Sequence, residues 1–284
     1  MAELLLTVDL GNSRCKACCW PDAGGRDVGA PERSETFEPV RSETFEPVRS
    51  ETFQVGAATA GELLAWLRAG PLPRASALSS VGPAAVERQL GEVLGALAPL
   101  SAPPPTGLRL DIRSPHTVGL DRLFAARGAL ELTGVPTLVV DAGTALTVDA
   151  VRPERPCAPR TGAGLFLGGA IAPGPALLAR ALAQGGARLP DFEPRPGVPA
   201  LGKETREALR AGVAVGFEGA ALRLVEQVAA EAGLAGACIV ATGGALGFLE
   251  GALAEWGERV RVVPLLVHHG LRAALVESCP SSSS

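Results

Sequence analysis

Polar residues stand where two apolar runs of the chain end. The sequence DLGNS at residues 9–13 follows LLLTV and precedes Lys16, and DAGT at residues 141–144 follows TLVV. A glycine turn exposes backbone N–H groups that can hold phosphate oxygens, and an aspartate can hold Mg²⁺, directly or through water. The two stretches, with the point charge of Lys16, predict two sides of a nucleoside triphosphate site. A third turn, TGG at 242–244, leaves room for adenine or ribose.

The two aspartate–glycine stretches also echo each other. Residues 6–11 and 138–143 share Leu, Val, Asp and Gly at the same offsets. One Asp-x-Gly alone is weak evidence, because a strand that ends in an ordinary turn has the same residues. Two in register predict a duplicated fold, in which a cleft between the halves brings both turns together.

Composition narrows the class of protein. The 284 residues suit one large domain or two moderate ones, and 47% apolar residues are ample for a core. The net charge of -4 argues against a nucleic-acid surface. The sequence shows neither a signal-peptide pattern nor an apolar run that could span a membrane. We therefore expect a cytoplasmic protein with no nucleic-acid or membrane partner.

The six cysteines offer one pair with metal-like spacing, Cys15-x-x-Cys18. A structural zinc site would need a second pair of Cys or His residues with suitable spacing. The sequence has no such pair, because His268 and His269 are adjacent. The cysteines are predicted to be small hydrophobic residues on a strand, in a reducing compartment.

Periodicity and turn residues predict an alternation of strands and helices. The first hairpin has strands at 4–9 and 15–20, and a second hairpin lies at 136–151. Further strands are predicted at 75–81, 108–112, 164–174, 238–245 and 260–267. Helices are predicted at 60–69, 83–98, 120–132, 175–184, 204–232 (with a break) and 245–256, and a last helix at the C-terminus.

A tandem octad separates the first hairpin from the first helix. RSETFEPV occurs at 33–40 and 41–48, and RSETFQV follows at 49–55. Pro39 and Pro47 have no N–H to donate and would interrupt a ladder. Residues 49–55 lack that proline, so we predict that this copy pairs in the first sheet and that 33–48 forms an exposed excursion.

Several motifs together resemble the type III pantothenate kinases of the acetate and sugar kinase/Hsp70/actin superfamily. They are DLGNSRCK (9–16), SSV (79–81), GLDR (119–122), DAGTALTVD (141–149), GGAIAPG (168–174), GKETREALRAG (202–212) and TGG (242–244). The resemblance implies an α/β fold of duplicated RNase H-like (actin-like) domains, with mixed five-stranded sheets flanked by helices and ATP in the cleft. It implies halves at 1–118 and 119–284.

The resemblance also implies roles for individual residues. Asp121 is the general base for the primary hydroxyl of pantothenate, Asp9 meets Mg²⁺ through the phosphates, and Asp141 ligates a monovalent cation, K⁺ or NH₄⁺. The residues implied to bind ATP are Asp9, Leu10, Gly11, Asn12, Ser13, Arg14, Cys15, Lys16 and Thr144. Those implied to bind pantothenate are Gly119, Leu120, Asp121 and Arg122. A homodimer is implied, with the helices near 120–132 and 175–184 as candidate interfaces or internal core.

Two positions on the pantothenate side depart from the family. Ile112 stands where the family usually has Tyr, and Gly186 stands where it usually has Thr. These departures leave three alternative functions open. They are ATP-dependent phosphorylation of pantothenate, phosphorylation of another small alcohol, and nucleotide binding by an accessory or regulatory paralogue. The residues alone, without the resemblance, favour reading Asp121-Arg122 as an ordinary charge pair at a helix start.

Overall fold

The computed structural model of the chain describes residues 3–22, 46–97, 106–154, 164–186 and 188–278. The chain forms two compact units. The first comprises Met1–Gly134, Pro153–Leu165 and Leu266–Ser284, and the second comprises Val135–Arg152 and Phe166–Leu265. The division into halves at 118/119 stays a prediction, because these units follow packing rather than chain order.

The elements alternate as the sequence predicts. The strands are β1 (Leu4–Leu10), β2 (Arg14–Pro21), β3 (Arg49–Gln54), β4 (Ala75–Ser80), β5 (Leu108–Leu110), β6 (Thr137–Ala142), β7 (Ala145–Pro153), β8 (Gly164–Pro173), β9 (Cys238–Thr242) and β10 (Val260–Val262). The helices are α1 (Thr59–Arg68), α2 (Ala84–Leu97), α3 (Leu120–Thr133), α4 (Pro175–Gly185), α5 (Thr205–Glu231), α6 (Glu250–Trp256) and α7 (Leu266–Ser278).

The sheet of the first unit has the order β3-β2-β1-β4. β1 pairs antiparallel with β2 and parallel with β4. Alternate residues of β1, among them Leu6 and Val8, pack in a core with buried leucines of α1 and α2. This face of the sheet is therefore closed by two amphipathic helices.

A close pair of helices, α3 and α7, belongs to the same unit. A Cβ on Gly128 of α3 would collide with the carbonyl of Leu266, and a Cβ on Gly270 of α7 would collide with the carbonyl of Phe124. The helices can approach this closely because neither glycine has a side chain. Residues 123–130 of α3 are all buried within the chain.

The second unit repeats the arrangement of the first. Its strands lie in the order β10-β9-β6-β7-β8, with β6 antiparallel to β7 and parallel to β9. Phe217, Ala221 and Val225 of α5 pack on the β-strand core beside Trp256 of α6. The predicted α/β fold, with mixed sheets and duplicated halves, is confirmed, but the sheet of the first unit has four strands among the described residues and not the predicted five.

Three predicted elements end differently. The strand predicted at 260–267 stops at Val262 and α7 begins at Leu266, because Pro264 lies between them and has no N–H for the ladder. The helix predicted at 245–256 is a 3₁₀ turn, Leu246–Leu249, followed by α6. The break predicted within 204–232 is absent, since α5 is continuous.

The third copy of the octad forms β3 and pairs antiparallel with β2, as predicted. Val48 precedes it and donates its N–H to the carbonyl of Cys19 at 2.9 Å. The rest of the predicted excursion, residues 33–45, lies outside the described residues.

The cysteines of β2 are buried small residues, as predicted. Cys15, Cys18 and Cys19 are each fully buried and not in disulfides. Residues three apart on a strand face opposite sides of the sheet, so Cys15 and Cys18 cannot bind one ion together. Cys157 and Cys279 lie outside the described residues. No helix in the described part of the chain is both long enough and apolar enough to cross a membrane.

Candidate active site

The first candidate element is the turn between β1 and β2. The N–H of Gly11 donates to the carbonyl of Arg14 at 2.9 Å, which closes the hairpin. Asp9, half-buried, pairs with half-buried Lys16 in the ladder. A carboxylate and an ammonium group thus leave the same face of the sheet beside the turn. Between them, Asn12, Ser13 and Arg14 are exposed.

Leu10 and Cys15 belong to the same hairpin, but both side chains are buried in the core. Only their backbone groups can reach a ligand. Burial, and then the nearby charge of Asp9, raise the pKa of the Cys15 thiol to about 12. The thiol therefore stays protonated and unreactive at neutral pH.

The end of β4 is fastened to this hairpin. The N–H of Val81 donates to the carbonyl of Leu10 at 2.9 Å. A Cβ on Gly82 would lie 2.6 Å from the carbonyl oxygen of Gly11 and 2.7 Å from Cγ of Leu10. A residue larger than glycine at position 82 would push the turn away, so Gly82 fixes where the turn lies.

Asp121 lies at the start of α3, close to the end of β4. Its Oδ1 accepts a hydrogen bond from the backbone N–H of Arg122 at 2.8 Å and lies against the Cα of Gly119. A Cβ on Gly119 would stand 3.2 Å from Cγ1 of Val81. Burial raises the pKa of Asp121, and the N–H and charge of Arg122 partly oppose that rise.

The other residues predicted on the acceptor side are partly buried. Leu120 and Arg122 are half-buried beside Asp121. Ile112 is half-buried too, ahead of a 3₁₀ turn at Pro115–Thr117, whereas His116 is exposed. The first unit thus brings the hairpin, the end of β4 and the GLDR segment into one continuous set of contacts.

In the second unit, Asp141 lies between two glycine turns. A Cβ added to Gly143 would lie 3.4 Å from Oδ1 of Asp141, and a Cβ added to Gly243 would lie 2.5 Å from the same oxygen. Gly243 has a φ of +107°. Gly174 approaches from β8: its N–H donates to the carbonyl of Thr144 at 3.0 Å, and its Cα lies against that carbonyl and the carbonyl of Gly143. The Asp141 carboxylate thus lies close to Gly143 and Gly243, and the carbonyls of Gly143 and Thr144 lie against Gly174.

Gly186, also in the second unit, ends α4. Its N–H donates to the carbonyl of Leu182 at 3.0 Å, and a Cβ here would lie 2.5 Å from Cδ1 of Leu189. The Leu189 side chain fills the space that a larger residue at 186 would take. A glycine at position 186, in place of the threonine usual in the family, therefore fits the packing of Leu189 against it.

Two buried groups of the first unit were given no role from the sequence. Ser79, within the SSV motif, is fully buried and pairs with Asp9 across β1 and β4. His268 of α7 is buried with Nδ1 2.9 Å from Oγ1 of Thr7, which also accepts from Nε1 of Trp20 at 2.8 Å. For Ser79, the sequence signal that could have drawn attention to it was a serine within an apolar strand. For His268, the sequence held no such signal.

Burial lowers the pKa of His268 to about 3, and the charges of Lys16 and His269 contribute to that lowering. The imidazole is therefore neutral at physiological pH. Its Thr7 contact ties α7 to the strand that carries Asp9.

Solved structures of low sequence identity share this fold. One is a putative 2-dehydro-3-deoxygalactonokinase from Sinorhizobium meliloti, with a TM-score of 0.54 and 18% sequence identity. The match covers 99% of this chain and 98% of that protein. This chain also matches the activator of the 2-hydroxyisocaproyl-CoA dehydratase from Clostridium difficile with bound ADPNP, with a TM-score of 0.51, 11% identity, and 98% and 96% of the two chains covered. The duplicated strand arrangement and these likenesses define an actin-like fold.

The family is narrower than the fold. The model of the type III pantothenate kinase family matches residues 5–227. The type III pantothenate kinase of Thermus thermophilus is 40% identical over 181 residues, which are 61% of this chain and 67% of the relative. The type III pantothenate kinase of Akkermansia muciniphila is 33% identical over 217 residues, which are 76% of this chain and 84% of the relative. The chain belongs to the type III pantothenate kinase family.

Proposed function

We propose that this protein transfers the γ-phosphoryl group of ATP to the primary hydroxyl of pantothenate. The product is 4′-phosphopantothenate, and the reaction is the first step of coenzyme A biosynthesis. Family membership supports the reaction class. The observation that carries the proposal is the half-buried Asp121 carboxylate of the GLDR motif, whose pKa burial raises.

The nucleotide side rests on the hairpin of the first unit. Phosphoryl transfer depends mainly on positioning and on neutralising charge. The half-buried Asp9 fits Mg²⁺, which prefers oxygen ligands and keeps several waters, and the bound ion would neutralise phosphate charge. The exposed turn from Gly11 to Arg14 offers backbone groups to phosphate oxygens, Lys16 adds a positive charge, and Thr144 contacts ATP.

On the acceptor side, Asp121 takes the proton of the pantothenate hydroxyl as that oxygen attacks. Its raised pKa moves the carboxylate towards the operating pH, which suits a general base. Gly119, Leu120 and Arg122 line the same segment and hold the acceptor. Ile112 and Gly186 offer no side-chain hydroxyl, and each missing hydrogen bond costs about 1–3 kcal/mol of binding if its partner stays unpaired.

A monovalent cation, K⁺ or NH₄⁺, is proposed at Asp141. The support is the Asp141 carboxylate oxygen, which lies against the glycine turns of Gly143 and Gly243. Oxygen ligands of this kind suit a hard cation.

A homodimer is proposed as the assembly, in the cytoplasm. The free, buried thiols of β2 fit a reducing compartment. Because α3 is buried within the chain, α4, with its Leu182 side chain 37% exposed, is the better interface candidate of the two helices. A dimer mass in light scattering at micromolar concentration is expected; a monomer alone contradicts the proposal.

The function is tested by ADP release from ATP and Mg²⁺, with pantothenate present or omitted, in K⁺ buffer. Pantothenate-dependent ADP release is expected, with 4′-phosphopantothenate identified by mass spectrometry. Release with another small alcohol but not with pantothenate would indicate a different acceptor. Nucleotide binding without release on any acceptor would indicate an accessory protein.

A further inference from the structure

Ser79 is a buried hydroxyl without a hydrogen-bond partner among the described residues. The residue is 0% exposed, near the end of β4, and no described donor or acceptor reaches its Oγ. Leaving such a group unsatisfied in a protein interior costs free energy, so native structures rarely keep one without a reason.

The position of Ser79 points to that reason. In the parallel ladder of β1 and β4 it pairs with Asp9, and Asp9 pairs with Lys16 on the other side. Paired residues share a face of the sheet, as do residues two apart. Ser79 therefore shares the face of Asp9 and Lys16 and also that of Val81, which lies against Gly119 beside Asp121.

The next residue, Ser80, faces the other way. Its Oγ donates to Oε2 of Glu87, on α2, at 2.9 Å. Two consecutive serines thus differ: Ser80 has a hydrogen-bond partner on α2, whereas Ser79 is buried on the face of the sheet that carries Asp9.

The second unit shows the same juxtaposition. Asp141 pairs with Thr242 across the parallel ladder of β6 and β9, and Thr242 is 4% exposed. In both copies of the strand arrangement, a buried hydroxyl residue therefore lies beside the aspartate that is second to last in its strand, β1 or β6. Chance placement of a polar residue in one strand does not predict its repetition in the other.

We propose that Ser79 is a binding residue for the magnesium nucleotide, whose hydroxyl gains its partner when the ligand binds. It donates a hydrogen bond to an oxygen of the magnesium–phosphate group held at Asp9, either a phosphate oxygen or a metal-bound water. This inference rests on the proposed function for the identity of the ligand.

Ser79→Ala removes only the hydroxyl, and Ser80→Ala is the matched control one residue away. Thermal unfolding is measured without ligand and with a non-hydrolysable ATP analogue plus Mg²⁺, and calorimetry gives the dissociation constant. For Ser79→Ala we expect an unliganded Tm equal to or above that of the wild type. We expect the analogue to bind roughly five- to fifty-fold more weakly, as for a lost hydrogen bond to a charged group. Ser80→Ala should lower the unliganded Tm slightly and bind the analogue as the wild type does.

Two outcomes overturn the inference while the proposed function stands. One is a Ser79→Ala protein that binds the analogue as tightly as the wild type. The other is an unliganded Tm that falls below that of Ser80→Ala, which would mean that the hydroxyl holds a structural water. Wild-type protein that fails to bind the analogue and releases no ADP with pantothenate would overturn both the proposed function and the inference.

Discussion

The Asp121 carboxylate occupies space that only a glycine at position 119 leaves open. Its Oδ1 lies where a side chain on residue 119 would begin, and Val81 closes the opposite side. The first glycine of GLDR is therefore a steric requirement of the carboxylate two residues later. The backbone N–H of Arg122, bonded to the same oxygen, holds the carboxylate in this orientation.

Gly119→Ala should therefore lower turnover by displacing Asp121. The added methyl would meet both Oδ1 of Asp121 and Cγ1 of Val81, so we expect kcat to fall about tenfold to a hundredfold, as for a misplaced reacting group. Gly91→Ala in α2 is the control, since a Cβ there meets nothing within 4 Å and should stabilise the helix by about 1 kcal/mol. Equal kcat in the two variants would contradict the steric argument.

Asp121→Asn should separate activity from stability. We expect kcat to fall by roughly 10²–10⁴ because an amide cannot accept the hydroxyl proton, while nucleotide binding persists. Because burial raises the pKa of Asp121, the folded protein disfavours its charged form. The neutral amide should therefore leave the unfolding free energy at pH 7 unchanged or higher. Exposed Asp111→Asn is the control, and an active Asp121→Asn enzyme would remove Asp121 from the role of base.

Stability should fall on mild acidification because of the two histidines of α7. Burial lowers the pKa of His268 to about 3 and that of His269 to about 4, whereas both titrate near 6.5 in the unfolded chain. The unfolded chain therefore binds more protons below pH 6.5. The stability that neutral histidines provide is present above pH 6.5 and is lost as pH falls, by about 1.4 kcal/mol per pH unit for each histidine.

Denaturant unfolding between pH 7 and pH 5 measures that slope. His268→Gln should reduce it by about half, whatever its effect on stability at pH 7. His116→Gln, at an exposed position of the 3₁₀ turn, should leave it unchanged. A wild-type unfolding free energy independent of pH over this range would show that the buried histidines are not neutral.

Activity should depend on the monovalent cation through Asp141. We expect turnover to rise with K⁺ or NH₄⁺ and to be poor in Na⁺ alone. Asp141→Asn should raise the K⁺ concentration for half-maximal activity at least about tenfold, because the amide removes the negative charge that attracts the ion. K⁺ should also raise the Tm of the wild type more than Na⁺ does, and this difference should vanish in Asp141→Asn. Equal rates in all three salts would count against the ion site.

Local pattern was enough to predict most elements and both hairpins. The helix predicted at 83–98 spans Ala84–Leu97, and the strand predicted at 75–81 spans Ala75–Ser80. These segments are fixed by side-chain periodicity and by glycine or proline at their ends. The aspartate–glycine turns were predictable for the same reason, since the aspartate and the residues that form the turn are neighbours in sequence.

Contacts between distant segments were not predictable. The Thr7–His268 contact joins residues 261 positions apart, and an apolar pattern shows that a helix face is buried without showing what covers it. That Ser79 has no hydrogen-bond partner among the described residues, whereas Ser80 has one, could not be read from the sequence SS either.

The packing of α7 with α3 has a consequence for the order of synthesis. Residues 266–278 are made after the second unit, yet they belong to the unit that holds Asp9 and Asp121. While the ribosome is still adding the second unit, the first lacks the helix that carries Gly270 and His268. The first unit therefore completes its fold only after the second unit has been synthesised, and until then its apolar surface for α7 stays uncovered.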